Sequence, residues 1–296
     1  MSETILITGA AGQLGRGVAH HLLSTRAVRP DHLLLTSRDP AKLEDFANKG
    51  VMVRPANFDD EASLVTAFQG ADRALLISTN ELMEAGKRLR QHKAAVAGAL
   101  KAGVCHIAYT SMPKPEPGNP VLFAPDHYGT EQAIKETGLP YTIFRNGWYQ
   151  ENLFMVLPQV LKTGKWYSSA GEGRTAYISR GDIACAIAAS LASAAKDSAT
   201  YTLTGAEALT NSEIAVIASR ATGRPIEVIN LPDDALAEGM KAAGMPAGLV
   251  PLLISFERNA RIGGLSDVTL DAEKLSGKTL QSLTAFMEAN KATLLA

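Results

Sequence analysis

The stretch Thr4-Ile5-Leu6-Ile7-Thr8-Gly9-Ala10-Ala11-Gly12-Gln13-Leu14-Gly15 decides how the rest of the chain is read. A short apolar run ends at Gly9. Leu14, Val18 and Leu22 then recur at i, i+4 and i+8, the spacing of a helix with one apolar face. Outward from this unit the same alternation repeats. Apolar runs at 33–35, 51–53, 74–77, 105–109 and 141–144 predict further strands. Helices are predicted between them: one opened by Arg38-Asp39-Pro40, with proline near its first turn, then 61–68, 84–102 and 130–137. Strands that are apolar on both faces and joined by helices build a parallel sheet covered on both sides, a doubly wound α/β fold.

After Arg145 the alternation loosens. Strand-like pieces at 176–179, 201–204 and 226–229 are separated by helices, and Thr210-Asn211-Ser212-Glu213 has capping-box spacing ahead of an apolar run. Leu280, Leu283 and Phe286 mark an amphipathic helix near the tail. We read residues 1–147 as the larger lobe and 148–296 as a smaller α+β lobe, interleaved with returns to the main sheet. Pro113, Pro115, Pro117 and Pro120 mark one irregular loop after the fifth strand.

Composition narrows the function classes. The chain has 296 residues, 46% hydrophobic and 20% charged, with 29 basic against 30 acidic residues. That balance leaves no electrostatic footprint for nucleic acid or an anionic membrane. No apolar run approaches the roughly 20 residues of a bilayer span. The start Met1-Ser2-Glu3-Thr4 has no basic segment of a secretion signal. The two cysteines, Cys105 and Cys185, match no redox or metal spacing, and a cytoplasmic setting is expected. His20, His21, His32, His92 and His106 form no metal-ligand pattern, so no metal is expected. No Gly-x-Ser-x-Gly elbow supports hydrolase chemistry. Net charge fits a monomer or a homodimer alike.

The turn itself carries chemistry. Gly9, Gly12 and Gly15 allow a tight turn, close approach of backbone to a pyrophosphate, and close packing of helix on sheet. Ala11, Gln13 and Leu14 complete the turn, whose helix N-terminus offers N–H donors to phosphate oxygens. The turn is read as a Rossmann-type dinucleotide site, the alternative being a glycine-rich turn that binds nothing. The end of the second strand decides which dinucleotide. An acidic residue there suits the ribose hydroxyls of NAD, an arginine the 2′-phosphate of NADP. Here Ser37-Arg38 precedes Asp39, which favours NADP(H); the other reading is that Arg38 pairs with Asp39. Asn57 and Phe58 follow the third strand, at the expected adenine position. Ser78 and Thr79 follow the fourth, beside the expected nicotinamide ribose.

The glycine pattern, the segment Tyr109-Thr110-Ser111 and the segment Pro140-Tyr141-Thr142-Ile143-Phe144-Arg145-Asn146 resemble the atypical short-chain dehydrogenase/reductases of the NmrA-like group. Within it the chain looks most like NADPH-dependent quinone reductases, triphenylmethane dye reductases and flavin-free azoreductases. The resemblance implies NADP(H) in the large lobe, with Thr110 and Ser111 joining the cofactor contacts, and an aromatic acceptor in the small lobe. It also exposes a departure. The Tyr-x-x-x-Lys pair of typical short-chain dehydrogenases is missing. One alignment places His127 and Glu131 at those positions; a shift of one residue places Tyr128 and Gln132 there. His127, with an ordinary pKa near 6.5, is the candidate general acid because it would be partly protonated at neutral pH; a packing role is its other reading. Tyr128 is read as packing or stacking against substrate.

Aromatic residues make up 6% of the chain, 2 Trp, 7 Tyr and 8 Phe. They concentrate after Tyr141, in the run Asn146-Gly147-Trp148-Tyr149-Gln150-Glu151-Asn152-Leu153-Phe154 and at Trp166-Tyr167. Planar side chains stack on a planar ligand. Trp148, Tyr149, Phe154 and Trp166 are therefore the candidate acceptor contacts, against the alternative of a small-lobe core or a dimer contact, and Asn146 is a candidate hydrogen-bonding partner for the nicotinamide amide or a substrate oxygen. The favoured reading is an NADPH-dependent, flavin-free reductase of a small aromatic acceptor such as a quinone or azo compound. Its rivals are an NADP(H)-sensing regulator without turnover and, more remotely, an epimerase or dehydratase of nucleotide-linked sugars.

Overall fold

The computed structural model describes residues 3–25, 27–82, 84–193 and 197–296; Met1 and Ser2 of the N-terminal reading lie outside the described residues. In the first half, β1 (Ile5–Ile7), α1 (Gln13–Ser24), β2 (Leu33–Ser37), α2 (Glu44–Ala47), β3 (Met52–Pro55), α3 (Glu61–Phe68), β4 (Arg73–Leu76), α4 (Lys87–Lys101), β5 (His106–Ser111), α5 (Ala124–Glu136) and β6 (Tyr141–Asn146) alternate as expected. The second half is more finely divided. It contains α6 (Leu157–Thr163), β7 (Lys165–Ser168), β8 (Arg174–Thr175), α7 (Arg180–Ala192), β9 (Ala199–Leu203), β10 (Leu209–Thr210), α8 (Asn211–Thr222), β11 (Glu227–Asn230), α9 (Asp233–Ala242), α10 (Val250–Arg261), α11 (Asp271–Ser276), α12 (Leu283–Ala289) and α13 (Lys291–Leu295).

Seven parallel strands form one sheet in the order β3-β2-β1-β4-β5-β6-β9. The order reverses between β1 and β4, and ligands of open α/β sheets bind at such a switch point. One face buries Val18, Leu22, Ile183 and Ile187 of α1 and α7 against Leu33, Leu35 and Phe144. The other buries Leu64, Phe68, Val96 and Ile134 of α3, α4 and α5 against Leu6, Leu34, Leu76 and Tyr109. Each such side chain contributes about 1.5–3 kcal/mol on full burial. A separate core of η-turn 150–155, α6, β7, α8, α12 and α13 holds the second lobe together. The capping box at Thr210 and Glu213 forms as the spacing predicts and starts α8.

Two departures from the sequence reading matter for the site. The helix opened by Pro40 is a single 3₁₀ turn followed by the short α2. The helix expected from residue 130 begins at Ala124, with Pro125 in its first turn, where a missing N–H costs nothing. That earlier start puts His127 and Tyr128 inside α5, one turn deep beneath the sheet edge.

Candidate active site

Backbone builds the first part of the site. Gly9 leaves β1 at φ +60°, a conformation that favours glycine, and its carbonyl accepts the Gly12 N–H at 2.9 Å. A Cβ on Gly15 would lie 2.7 Å from that carbonyl oxygen and 2.8 Å from the Ala10 Cα, so the turn closes only without one. Gly12 caps α1 and offers no side chain, leaving the N–H groups of the first turn without a side-chain acceptor. Leu14 and Gly15 are buried behind the turn, and Gln13 Oε1 accepts from Arg180 Nη1.

In front of the turn lies a cleft of about 400 Å³. Gly9, Ala11, Gly12, Ser37, Arg38, Asn57, Phe58, Ser78 and Thr79 line it, together with Asn80, Glu81 and Gln91, which the sequence reading missed. Arg38 is exposed and makes no ion pair among the described residues, because Asp39 turns to Lys42 instead, at 3.6 Å. The alternative reading of Arg38 is thereby set aside. Thr110 and Ser111 do not line the cleft but support it. The Thr110 hydroxyl accepts the Ser78 N–H at 2.9 Å, and Ser111 donates to Glu131 at 2.7 Å.

Side chains build the second part, at the ends of β5 and β6. The Thr79 N–H donates to His92 Nε2 at 3.0 Å, which leaves the ring proton on Nδ1, 2.9 Å from Thr130 Oγ1 and 3.3 Å from Tyr109 Oη. The Arg88 guanidinium donates to His127 Nε2 at 2.9 Å, so His127 Nδ1 carries the proton and donates to Tyr109 Oη at 2.8 Å. Both imidazoles are held neutral. Burial and then the Arg88 charge push His92 down to about 3, and the same two causes push His127 well below its ordinary value. Burial raises the Tyr109 hydroxyl. The partly protonated His127 expected from the sequence is corrected: the ring is buried, neutral and bonded at both nitrogens.

Glu131, set at the lysine position by one alignment, is engaged by basic side chains. Its fully buried carboxylate receives Arg145 Nε and Nη2 at 3.0 and 2.8 Å, with Lys135 at 3.8 Å. That bidentate pair ties α5 to β6. Tyr128 is half-buried and makes no hydrogen bond among the described residues.

The aromatic run divides in two. Trp148 packs edge-on against Phe256 of α10 at 4.7 Å, and Phe256 against Phe123 at 5.8 Å. Tyr149 lies under the Arg180 guanidinium at 5.0 Å, and its hydroxyl is 3.5 Å from Asn146 Nδ2. The Asn146 Oδ1 atom is buried without a partner. Phe154 and Trp166 pack with the second-lobe core: Phe154, partly buried, lies tilted against Phe286 at 5.3 Å, and Trp166, 6% exposed, sits within that core, in line with the core alternative for both.

Arg88, His92, Tyr109, Phe123, Arg180 and Phe256 were not read as site residues from sequence. One signal was available for two of them. Arg88, Gln91 and His92 recur at i, i+3 and i+4 on the face of α4 that turns to the sheet, where apolar residues belong. Among the described residues, no group of three His, Cys, Asp or Glu side chains is placed to hold a metal, and no helix is long and apolar enough to cross a membrane.

A family model described as the NmrA-like family matches residues 1–275. The chain is 36% identical over 279 residues to quinone oxidoreductase 2 of Escherichia coli (strain K12), covering 94% of this chain and 96% of that one. A crystal structure of an NADPH-dependent quinone oxidoreductase from Escherichia coli, complexed with NADPH, superposes with a TM-score of 0.91 at 35% identity, over 97% of this chain and 99% of that one. The triphenylmethane reductase of Citrobacter sp., complexed with NADP(H), gives a TM-score of 0.88 at 30% identity, over 97% and 100%.

Proposed function

The chain belongs to the NmrA-like family, and on that premise we propose that it is an NADPH-dependent reductase of flat aromatic acceptors, quinones or azo compounds, working without a flavin. The residues present fit the cofactor. The turn at Gly9–Gly15 closes tightly because Gly15 has no Cβ to strike the Gly9 carbonyl, and the N-terminus of α1, with no side-chain cap, offers its first-turn N–H groups to an anion. Arg38 and Ser37 are placed for the 2′-phosphate, Asn57 and Phe58 for the adenine, and Ser78 and Thr79 for the nicotinamide ribose. Gln13 holds Arg180 beside the same turn, adding a cation to the phosphate site. Asn146 Oδ1 is an unspent acceptor for a carboxamide N–H. Bound NADPH supplies the hydride.

The observation that carries the reading is the continuity between this cleft and the aromatic surface beside it. Thr79 in the cleft wall bonds His92, and the chain of contacts runs through Tyr109, His127 and Arg88 to Phe123, Phe256 and Trp148. A flat ring against Phe256 and Trp148 gains about 0.5–1.5 kcal/mol per aromatic contact beyond its buried area. The protein supplies position, and the protons that complete reduction come from solvent, since both histidines are neutral and their remaining ring protons are held in hydrogen bonds within the protein. Residues 1–147 carry the cofactor cleft, which Arg180 joins from the second lobe, and 148–296 bring Trp148 and Phe256 to the acceptor surface, which Phe123 and Arg88 join from the first, in a monomer or homodimer of the cytoplasm that binds no nucleic acid.

Anaerobic single turnover tests this. Flavin-free protein mixed with NADPH and a benzoquinone, or an azo dye, should lose its nicotinamide absorbance in step with reduction of the acceptor. Binding of NADPH without oxidation across a broad acceptor panel would overturn the reading and leave a sensor.

A further inference from the structure

We propose that Arg88 receives the negative charge that forms on an oxygen of the acceptor, so that the site selects acceptors whose reduced form is an oxyanion. The proposal deepens the reductase reading and rests on it.

Among the described residues, Arg73, Arg88 and Arg145 carry guanidinium groups into the protein, and Arg73 and Arg145 spend donors on protein acceptors. Arg73 caps the carbonyls of Leu191 and Ser193 at 2.8 and 2.7 Å. Arg145 is bidentate on Glu131. Arg88 differs from both. It is 6% exposed, yet its one hydrogen bond among the described residues runs to the neutral His127, at 2.9 Å. Its Nε is buried with no partner, and no carboxylate among the described residues lies within salt-bridge distance. A guanidinium carries five N–H donors in a rigid fork that matches an anionic oxygen. Leaving the buried Nε–H without an acceptor is costly unless an anion arrives.

The surroundings say what kind of anion. Phe123 covers the guanidinium at 4.8 Å and continues through Phe256 to Trp148. A flat ring lying on this surface brings an oxygen at its edge toward Arg88. His127, fixed by Tyr109, holds the fork in one orientation and competes for only one donor. Benzoquinone accepting a hydride from NADPH becomes the hydroquinone monoanion, and the donor becomes NADP⁺. One proton from water then completes the hydroquinone. Arg88 stabilises the monoanion and gives up no proton, since guanidinium stays charged. A cationic dye gains no such charge on oxygen and meets a like charge instead.

The test begins with binding. In the presence of NADP⁺, a phenol ionised at the assay pH is compared with its methyl ether. The wild type should hold the phenolate at least about 10-fold more tightly, a charge-assisted hydrogen bond's worth. Equal affinity for the two overturns the proposal without any variant. In Arg88→Met the preference should vanish while NADP⁺ affinity stays, and kcat/KM for the quinone should fall about 10–100-fold; Arg88→Lys should restore part of the binding preference. A fall in NADP⁺ affinity, or an equal fall with a cationic dye, would show a merely structural residue. Failure of the wild type to oxidise NADPH with the quinone, alongside a retained phenolate preference, would reject the reductase reading and keep the anion site.

Discussion

The carboxyl ends of β1 to β4 and those of β5 and β6 form one continuous edge of the sheet, but they are built by different means. At the first, glycines and backbone N–H groups shape the cleft, and Arg38 stands unpaired in solvent. At the second, Arg88, His92, Tyr109 and His127 lock one another, and Glu131 is clamped by Arg145. The first region is shaped by what is absent from consecutive residues. The second depends on side chains from α4, β5, α5 and β6 meeting in space. One is prepared to receive charge from outside; the other keeps its histidines neutral and pairs its Glu131 carboxylate with Arg145, which leaves Arg88 as its cation without a carboxylate partner among the described residues.

The sharpest way to break this contrast is to remove the clamp. Glu131→Ala strands a half-buried Arg145 and should cost about 3–5 kcal/mol in chemical denaturation. A loss under 1 kcal/mol would mean that the second region does not rest on its ion pair. Trp166→Ala should cost about 3–5 kcal/mol with the acceptor KM unmoved, whereas Trp148→Ala should raise that KM with little loss of stability. The reverse pattern would return Trp166 to the acceptor site.

Acid sharpens the comparison next. His92 and His106 are pushed down to about 3 and about 4, both first by burial, and His127 is also lowered. The folded chain therefore refuses protons that the unfolded chain accepts below about pH 6.5. Stability is fully present above that pH and is lost as pH falls through it, by up to about 1.4 kcal/mol per unit for each histidine. Denaturation midpoints between pH 7 and 5 check this. The kcat/KM profile over the same range should show no inflection from His127, and a limb near 6.5 abolished in His127→Asn would contradict the neutral ring. The smallest effect belongs to the open cleft. Arg38→Ala should narrow the preference for NADPH over NADH by about tenfold, at the low end for a charged hydrogen bond because the site is wet. Titration of both cofactors reads it directly.

The same division explains what the sequence disclosed. The sheet and the turn could be read because apolar periodicity and glycine spacing are local, and nine of the fourteen residues proposed for the cofactor line one cleft. Arg88 and Phe256 could not, since their meeting through Phe123 depends on how α4 and α10 pack. His127 was legible as a position but not as a state, because its charge is set by burial and by an arginine 39 residues away. Aromatic crowding after Tyr141 does not by itself separate a ligand surface from a core: Trp148 lies half-buried against Phe256, whereas Phe154 and Trp166 pack with the second-lobe core.

The placement of the two tryptophans has an optical consequence. Trp148 is half-buried on the aromatic surface beside Phe256, and Trp166 is sealed in the second-lobe core. The chain thus carries an indicator and an internal standard in the same fluorophore. In Trp166→Phe all indole emission comes from beside the acceptor, so quenching reports ring occupancy, whereas in Trp148→Phe the remaining emission follows only the integrity of the core.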